Sequence, residues 1–354
     1  MPLNIHDFYD LSLREKIAQL FIIGFKGSST SENPEILKVI ESEKPGGVIL
    51  FDKDMVHQKP VHNIKSPEQV RTLIKSLTDK SAIPLLIGID QEGGLIQRLK
   101  PEYGFPETVS HKYLGDKNDL DFTRTESEKI AATLSSIGIN LNFAPVVDLA
   151  YDSKSSIIGK RERSFGNSPK LVANHAEAYI EGHQKHHILT CCKHFPGHGS
   201  AVGDTHAGFV NVTDTWSDDE LIPYQTLINE NKCPMIMTAH IFHSEWDSSL
   251  PATFSKKVLQ DLLRDQLNFT GVVISDDMQM RAISDHYSLK DSLLLGINAG
   301  LDMFCFGNNL LQEEVKLANV IDIVEDLVTS DNISIDRIDL SVKRILALKS
   351  TYEL

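Results

Sequence analysis

Eight short apolar segments, at residues 21–24, 46–51, 84–90, 141–147, 188–192, 235–238, 272–275 and 303–306, limit what this chain can fold into. Their apolar, β-prone runs are those of strands buried in a sheet. Helical spacing fills most of the intervals, at about residues 67–80, 125–137, 170–186, 258–267 and 289–299. Further helices are expected at 13–20, before the first strand, and at 311–328 and 335–349, after the last. Strands alternating with helices predict a parallel sheet. Eight such units in 354 residues favour a (β/α)8 barrel, an α/β fold, over an open sheet. No repeat, low-complexity tract or composition break divides the chain, so one barrel domain is expected over residues 1–354. The polar interval 56–64, rich in His, Lys and Pro, reads as a surface loop.

Polar residues fall at particular places in this pattern. Asp90, Asp148, Lys193, His240 and Asp276 each lie at or just past the C-terminal end of an expected strand. In a barrel those ends converge on one face, the face that carries active sites.

Composition narrows the partners. A formal net charge of -14 argues against nucleic acid or an anionic membrane as a partner. Residues 1–10 lack the basic and apolar regions of a signal peptide, and no apolar run is long enough to span a bilayer. Cys191, Cys192, Cys233 and Cys305 show no metal-binding spacing. They read as buried free thiols, which suits a reducing, cytoplasmic setting.

The densest chemistry lies between Lys193 and His206, in the run KHFPGHGSAVGDTH. Its glycines and proline shape the path, and its charged groups crowd the end of one strand. Asp204 stands two residues from His206; a carboxylate on one ring nitrogen raises the basicity of the other and makes a general acid/base. His194, His198, His206, His240 and Asp204 also allow a zinc reading, but their spacing matches no metal signature, so it ranks below acid/base chemistry. Asp276 follows the strand at 272–275; the pattern leaves nucleophile, metal ligand and helix cap open, with Asp277 a natural cap. Asp90, in the run DQEGG, suits binding of hydroxyls, and Arg98 and Arg163 are donor forks. No phosphate-binding glycine fingerprint is present.

Taken together, the runs GGVILF (46–51), DQEGG (90–94), NFAPVVD (142–148), RSFG (163–166), KHFPGHG…DTH (193–206) and SDDM (275–278) resemble glycoside hydrolase family 3. Within it they are most similar to the β-N-acetylglucosaminidase (β-hexosaminidase) branch. The resemblance implies Asp276 as nucleophile and His206, paired with Asp204, as acid/base. It implies Asp90, Arg98, Arg163, Lys193 and His194 as residues that hold the sugar before the cleaved bond. It further implies a retaining exo-hydrolase, needing no metal or cofactor, that removes N-acetylglucosamine from a glycan or peptidoglycan-derived fragment. Family members that cleave plain glucosides usually lack the D-[ST]-H loop. A glycoside phosphorylase and a non-catalytic sugar-binding barrel are the alternatives. Two departures bear on substrate preference: Leu95 stands where many relatives carry Arg, and the 56–64 loop is longer than in compact relatives.

Overall fold

The computed structural model describes residues 11–151, 157–201, 208 and 210–354. Its barrel strands are β1 (Phe21–Gly24), β2 (Gly47–Ile49), β3 (Leu86–Ile89), β4 (Leu141–Asn142), β5, β6 (Met235–Thr238), β7 (Val272–Asp277) and β8 (Met303–Phe306); Val210–Asn211 and Ile241–Phe242 pair separately. β5 comes in two pieces, Leu189–Thr190 and Cys192–Phe195, interrupted at Cys191. All neighbours in the sheet are parallel. The sheet runs from the first piece of β5 through β4, β3, β2, β1, β8, β7 and β6 to the second piece of β5. It therefore begins and ends on the same stretch of chain. Closure is sealed where Val146 bridges Lys193 and the Val147 N–H donates to the Lys193 carbonyl at 2.8 Å. The expected barrel is present.

Burial explains why the strands were so apolar. β1, β2, β3, β6 and β8 are buried along their whole length, facing the barrel interior on one side and helices on the other. Helices Glu35–Glu43, Pro67–Thr78, Leu120–Ile137, Pro169–Gln184, Ile222–Asn229 and Leu289–Ala299 fill the outer layer. Their starts follow ordinary capping chemistry: Ser66, Asp119 and Ser288 each accept a backbone N–H of the first turn. Helices Leu317–Thr329 and Ile335–Thr351 follow β8. All four cysteines are buried and free. Among the described residues no helix is long and apolar enough to cross a membrane.

Four expectations need correction. The strand expected at 141–147 is regular only over Leu141–Asn142; Pro145 has no N–H to donate, and pairing resumes past it where Val146 and Val147 meet Lys193. The interval 56–64 is a surface loop only in its first part. His62, Asn63 and Ile64 are buried, and the Asn63 amide donates to the Phe25 and Gly27 carbonyls and accepts the Phe51 N–H. The helix expected at 311–328 begins at Leu317, because Asn308 draws in the Val315 backbone at 2.8 and 3.1 Å. The helix expected at 258–267 is a wider π-helix, Lys257–Gln266.

Away from the strand ends that carry the polar cluster, Lys349 is fully buried and its Nζ donates to Gln19 Oε1 at 2.8 Å. Burial alone pushes this ammonium down from 10.5 to about 7. The folded state thus binds fewer protons than the unfolded chain between those values. Its stability penalty is full at low pH and disappears as pH rises through that window. Denaturant unfolding at pH 7 and pH 9.5 should show wild type gaining stability relative to Lys349→Met, by on the order of 1 kcal/mol per pH unit. Parallel pH profiles for the two proteins would remove this role.

Candidate active site

Asp90 lies just past β3, Lys193 and His194 in the second piece of β5, His240 just past β6, and Asp276 at the end of β7. Asn142, the last residue of β4, clamps the segment after β3. Its side chain accepts the Gln91 N–H and donates to the Gln91 carbonyl, each at 3.0 Å, while the Tyr179 hydroxyl donates to that carbonyl at 3.1 Å. Gly94 then turns the chain at φ +59°, where a Cβ would stand 2.6 Å from Ser110. The Gln91 side chain accepts the Arg98 and Leu99 N–H groups, and Arg98 returns to within 3.3 Å of Asp90.

The result is a buried nest of opposite charges. Lys193 Nζ is 2.8 Å from both Asp90 Oδ1 and Glu92 Oε1. Arg163 donates two hydrogen bonds to Glu92, at 2.9 and 2.7 Å. A further Arg163 N–H donates to His194 Nε2 at 3.2 Å, so the ring proton sits on Nδ1 and is donated to Asp148 Oδ2 at 2.7 Å. Asp148 Oδ1 accepts the N–H groups of His194 and His198.

Burial would raise the carboxyls of Asp90 and Glu92, but Lys193 with Arg98, and Arg163 with Lys193, outweigh it and hold both below the usual range. Burial would likewise lower the Lys193 ammonium, and Asp90 and Glu92 leave it raised instead. Asp90, Glu92 and Lys193 are therefore ionised at neutral pH. Asp90, with its side chain 19% exposed, faces the open side, whereas Glu92 at 1% does not. Asp90 can thus accept from a sugar hydroxyl while Glu92 sets the cations behind it.

On β7 the two neighbouring aspartates differ. Asp277 Oδ1 accepts the Gln279 and Gly307 N–H groups at 3.0 and 3.2 Å, a turn-forming role. Asp276 is partly exposed, and its Oδ1 accepts the Asp277 N–H at 2.7 Å. Asp277 is not the helix cap expected of it: the next helix, Arg281–Ser284, has Met280 at its N-cap with no side-chain bond, and Asp277 holds the turn before it. His240 is buried, with Nε2 3.1 Å from the Asp277 carbonyl oxygen and Nδ1 2.8 Å from the Thr253 hydroxyl. It braces the β7 terminus.

Asp276 and Asp90 lie on the same rim. Both stand at the C-terminal ends of strands, β3 and β7, in one closed all-parallel sheet, and those ends share a face.

Asp90, Arg98, Arg163, Lys193 and His194 are thus brought into one network, with Asp276 on the same face. Asp204 and His206 lie outside the described residues. Among the described residues no three His, Cys, Asp or Glu side chains gather as a metal site.

Three carboxylates were missed or left without a role. Glu92 stood in the quoted DQEGG run, one residue past Gln91, and its burial was the missing signal. Asp148 stands at an expected strand end and closes the NFAPVVD run, but its bond to His194 has no sign in the sequence. Glu220 follows Asp218 and Asp219, an acidic run that reads as surface, yet it is 1% exposed. Burial, with help from the Asp148 charge, pushes its carboxyl up to about 7.

The family described as Glycosyl hydrolase family 3 N terminal domain matches residues 12–348. A beta-hexosaminidase of Haemophilus influenzae is 31% identical over 327 residues, 88% of this chain and 84% of that protein. A beta-hexosaminidase of Tolumonas auensis is 34% identical over 278 residues, 77% of this chain and 78% of that protein. Among solved structures, a family 3 beta-N-acetylglucosaminidase of Paenibacillus superposes with a TM-score of 0.86 at 31% identity, over 97% of this chain and 64% of that one. A beta-N-acetylhexosaminidase of Beutenbergia cavernae gives 0.85 at 28% identity, over 96% and 99%. With its barrel and its rim of charged groups, this chain belongs to glycosyl hydrolase family 3 and is a glycoside hydrolase.

Proposed function

We propose that the enzyme is a retaining exo-β-N-acetylglucosaminidase, with Asp276 as nucleophile and the Asp204–His206 pair as general acid/base. The observation that carries this reading is the nest Asp90–Lys193–Glu92–Arg163–His194 at the strand ends that also carry Asp276. Asp90 supplies acceptors, and Arg98, Arg163 and Lys193 supply donors, for the hydroxyls and the acetamido carbonyl of one amino sugar. The relatives named beta-hexosaminidase support the amino-sugar part of the reading.

In the first step an Asp276 oxygen bonds to the anomeric carbon as the bond to the leaving oxygen breaks, and protonated His206 gives that oxygen its proton. In the second, neutral His206 takes a proton from water, which displaces the aspartate ester and restores the original anomeric configuration. Asp204 keeps the imidazole oriented and basic. The substrate is read as the terminal β-linked N-acetylglucosamine of a peptidoglycan-derived fragment, met in the cytoplasm.

The test uses an aryl N-acetyl-β-glucosaminide, the matching glucoside, and NMR of the first product. Hydrolysis of the amino sugar in preference to glucose, with the β-anomer of free sugar appearing first, is expected. No turnover of either, a first-formed α-anomer, or a sugar phosphate formed only with added phosphate would each contradict the proposal. His206→Ala should lower kcat/KM on a disaccharide by about 10²–10⁴-fold and spare an aryl glycoside with a good leaving group. Equal losses on both would remove His206 as the acid.

A further inference from the structure

Glu220 is buried, and the reaction as derived makes no use of it. It belongs to a short 3-10 turn, Asp218–Leu221, whose neighbour Trp216 donates its indole N–H to the Pro196 carbonyl at 3.2 Å. The Glu220 carboxylate accepts the Gly199 N–H at 2.8 Å and the Ser200 N–H at 3.2 Å. The same loop is held from the other side by Asp148, which accepts the His198 N–H at 2.8 Å. Three successive N–H groups, of His198, Gly199 and Ser200, are thus gripped by two buried carboxyl groups. The loop is also pressed onto Glu220. At Gly197, φ is +120° and a Cβ would stand 2.5 Å from Glu220 Cβ, so no side chain fits there. Ser200 and Ala201 are the last described residues before the stretch with Asp204 and His206.

We propose that Glu220 is a positioning residue of the reaction: by holding the backbone of Gly199 and Ser200 it fixes the root from which the chain runs on to Asp204 and His206. This rests on the reading of His206 as acid/base. Above about pH 7, the value to which burial raises it, the Glu220 carboxyl is ionised, and a backbone N–H bonded to a buried carboxylate is held more tightly than one bonded to water or to a neutral oxygen. A shift of about 1 Å at a catalytic group costs on the order of 10²-fold in rate. The acid is the group at the end of this root, so its loss falls on substrates whose leaving group needs a proton. A purely structural Glu220 would lower activity on all substrates alike.

The experiment measures kcat/KM for wild type, Glu220→Ala, Glu220→Gln and His206→Ala across aryl N-acetyl-β-glucosaminides of graded leaving-group pKa, well below each variant's Tm. Glu220→Ala should lose about 10²-fold on the poorest leaving group and less than about fivefold on the best. Glu220→Gln keeps one acceptor and should fall between it and wild type. A steep series for His206→Ala beside a uniform loss, or none, for Glu220→Ala overturns the inference alone. A flat series for His206→Ala overturns the acid/base reading beneath it. If Glu220→Ala does not fold, Glu220→Gln decides: a series steeper than wild type supports the positioning role, and a parallel one ends it.

Discussion

Asp276→Asn is expected to lower kcat/KM on an aryl N-acetyl-β-glucosaminide by on the order of 10⁴-fold or more, with little change in Tm. Asn keeps an oxygen to accept the Asp277 N–H, the 2.7 Å contact that holds the side chain in place. What it loses is the negative charge and nucleophilicity of the carboxylate. Asp277→Asn provides the contrast. Asp277 Oδ1 holds the Gln279 and Gly307 N–H groups, so its substitution bears first on the turn after β7. A folded Asp276→Asn protein that retained more than a tenth of wild-type activity would take Asp276 out of the chemistry.

The second large effect is on stability. Glu92 is 1% exposed and answers two cations at once, Arg163 through two hydrogen bonds and Lys193 through a 2.8 Å contact. Glu92→Gln keeps the shape and removes the charge, leaving three cations, Arg98, Arg163 and Lys193, against the two carboxylates Asp90 and Asp148. Breaking a buried pair from one side costs about 3–5 kcal/mol. In a chain of this size, with an unfolding entropy of about 2 cal/mol/K per residue, the expected fall in Tm is about 4–7 °C. The pH dependence follows from the sign of the shift. Arg163 and Lys193 hold the folded Glu92 carboxyl far below 4.5, so its contribution is complete above that value and lost as pH falls below it. Wild type and Glu92→Gln should therefore converge in stability toward acid. A Tm within 2 °C of wild type at pH 7 would show that the nest does not depend on Glu92.

The barrel was legible because a parallel strand covered on both faces has no polar side to disguise it, and because polar residues broke in where strands ended. The run ISDD shows both features within a few residues: apolar through β7, then Asp276 and Asp277 at its rim. Asp90 and Lys193 were legible for the same reason. Glu92 and Glu220 were not, since their environments are made by distant partners. Glu92 is buried by residues 71 and 101 positions onward, Arg163 and Lys193. Glu220 is buried by the backbone of a loop 20 and 21 residues before it. The 56–64 interval misled for a related reason. Asn63 looks like a loop residue, yet its amide reaches 36 and 38 residues back to the carbonyls of Gly27 and Phe25.

The account depends on a carboxylate at the end of β7 attacking a sugar held by the nest around Lys193. The most direct test incubates the enzyme with a fluorinated glycoside whose covalent intermediate turns over slowly, followed by proteolysis and mass spectrometry. A glycosyl mass on the peptide that contains Asp276, absent in Asp276→Asn, is the predicted result. A label on any other residue would contradict it.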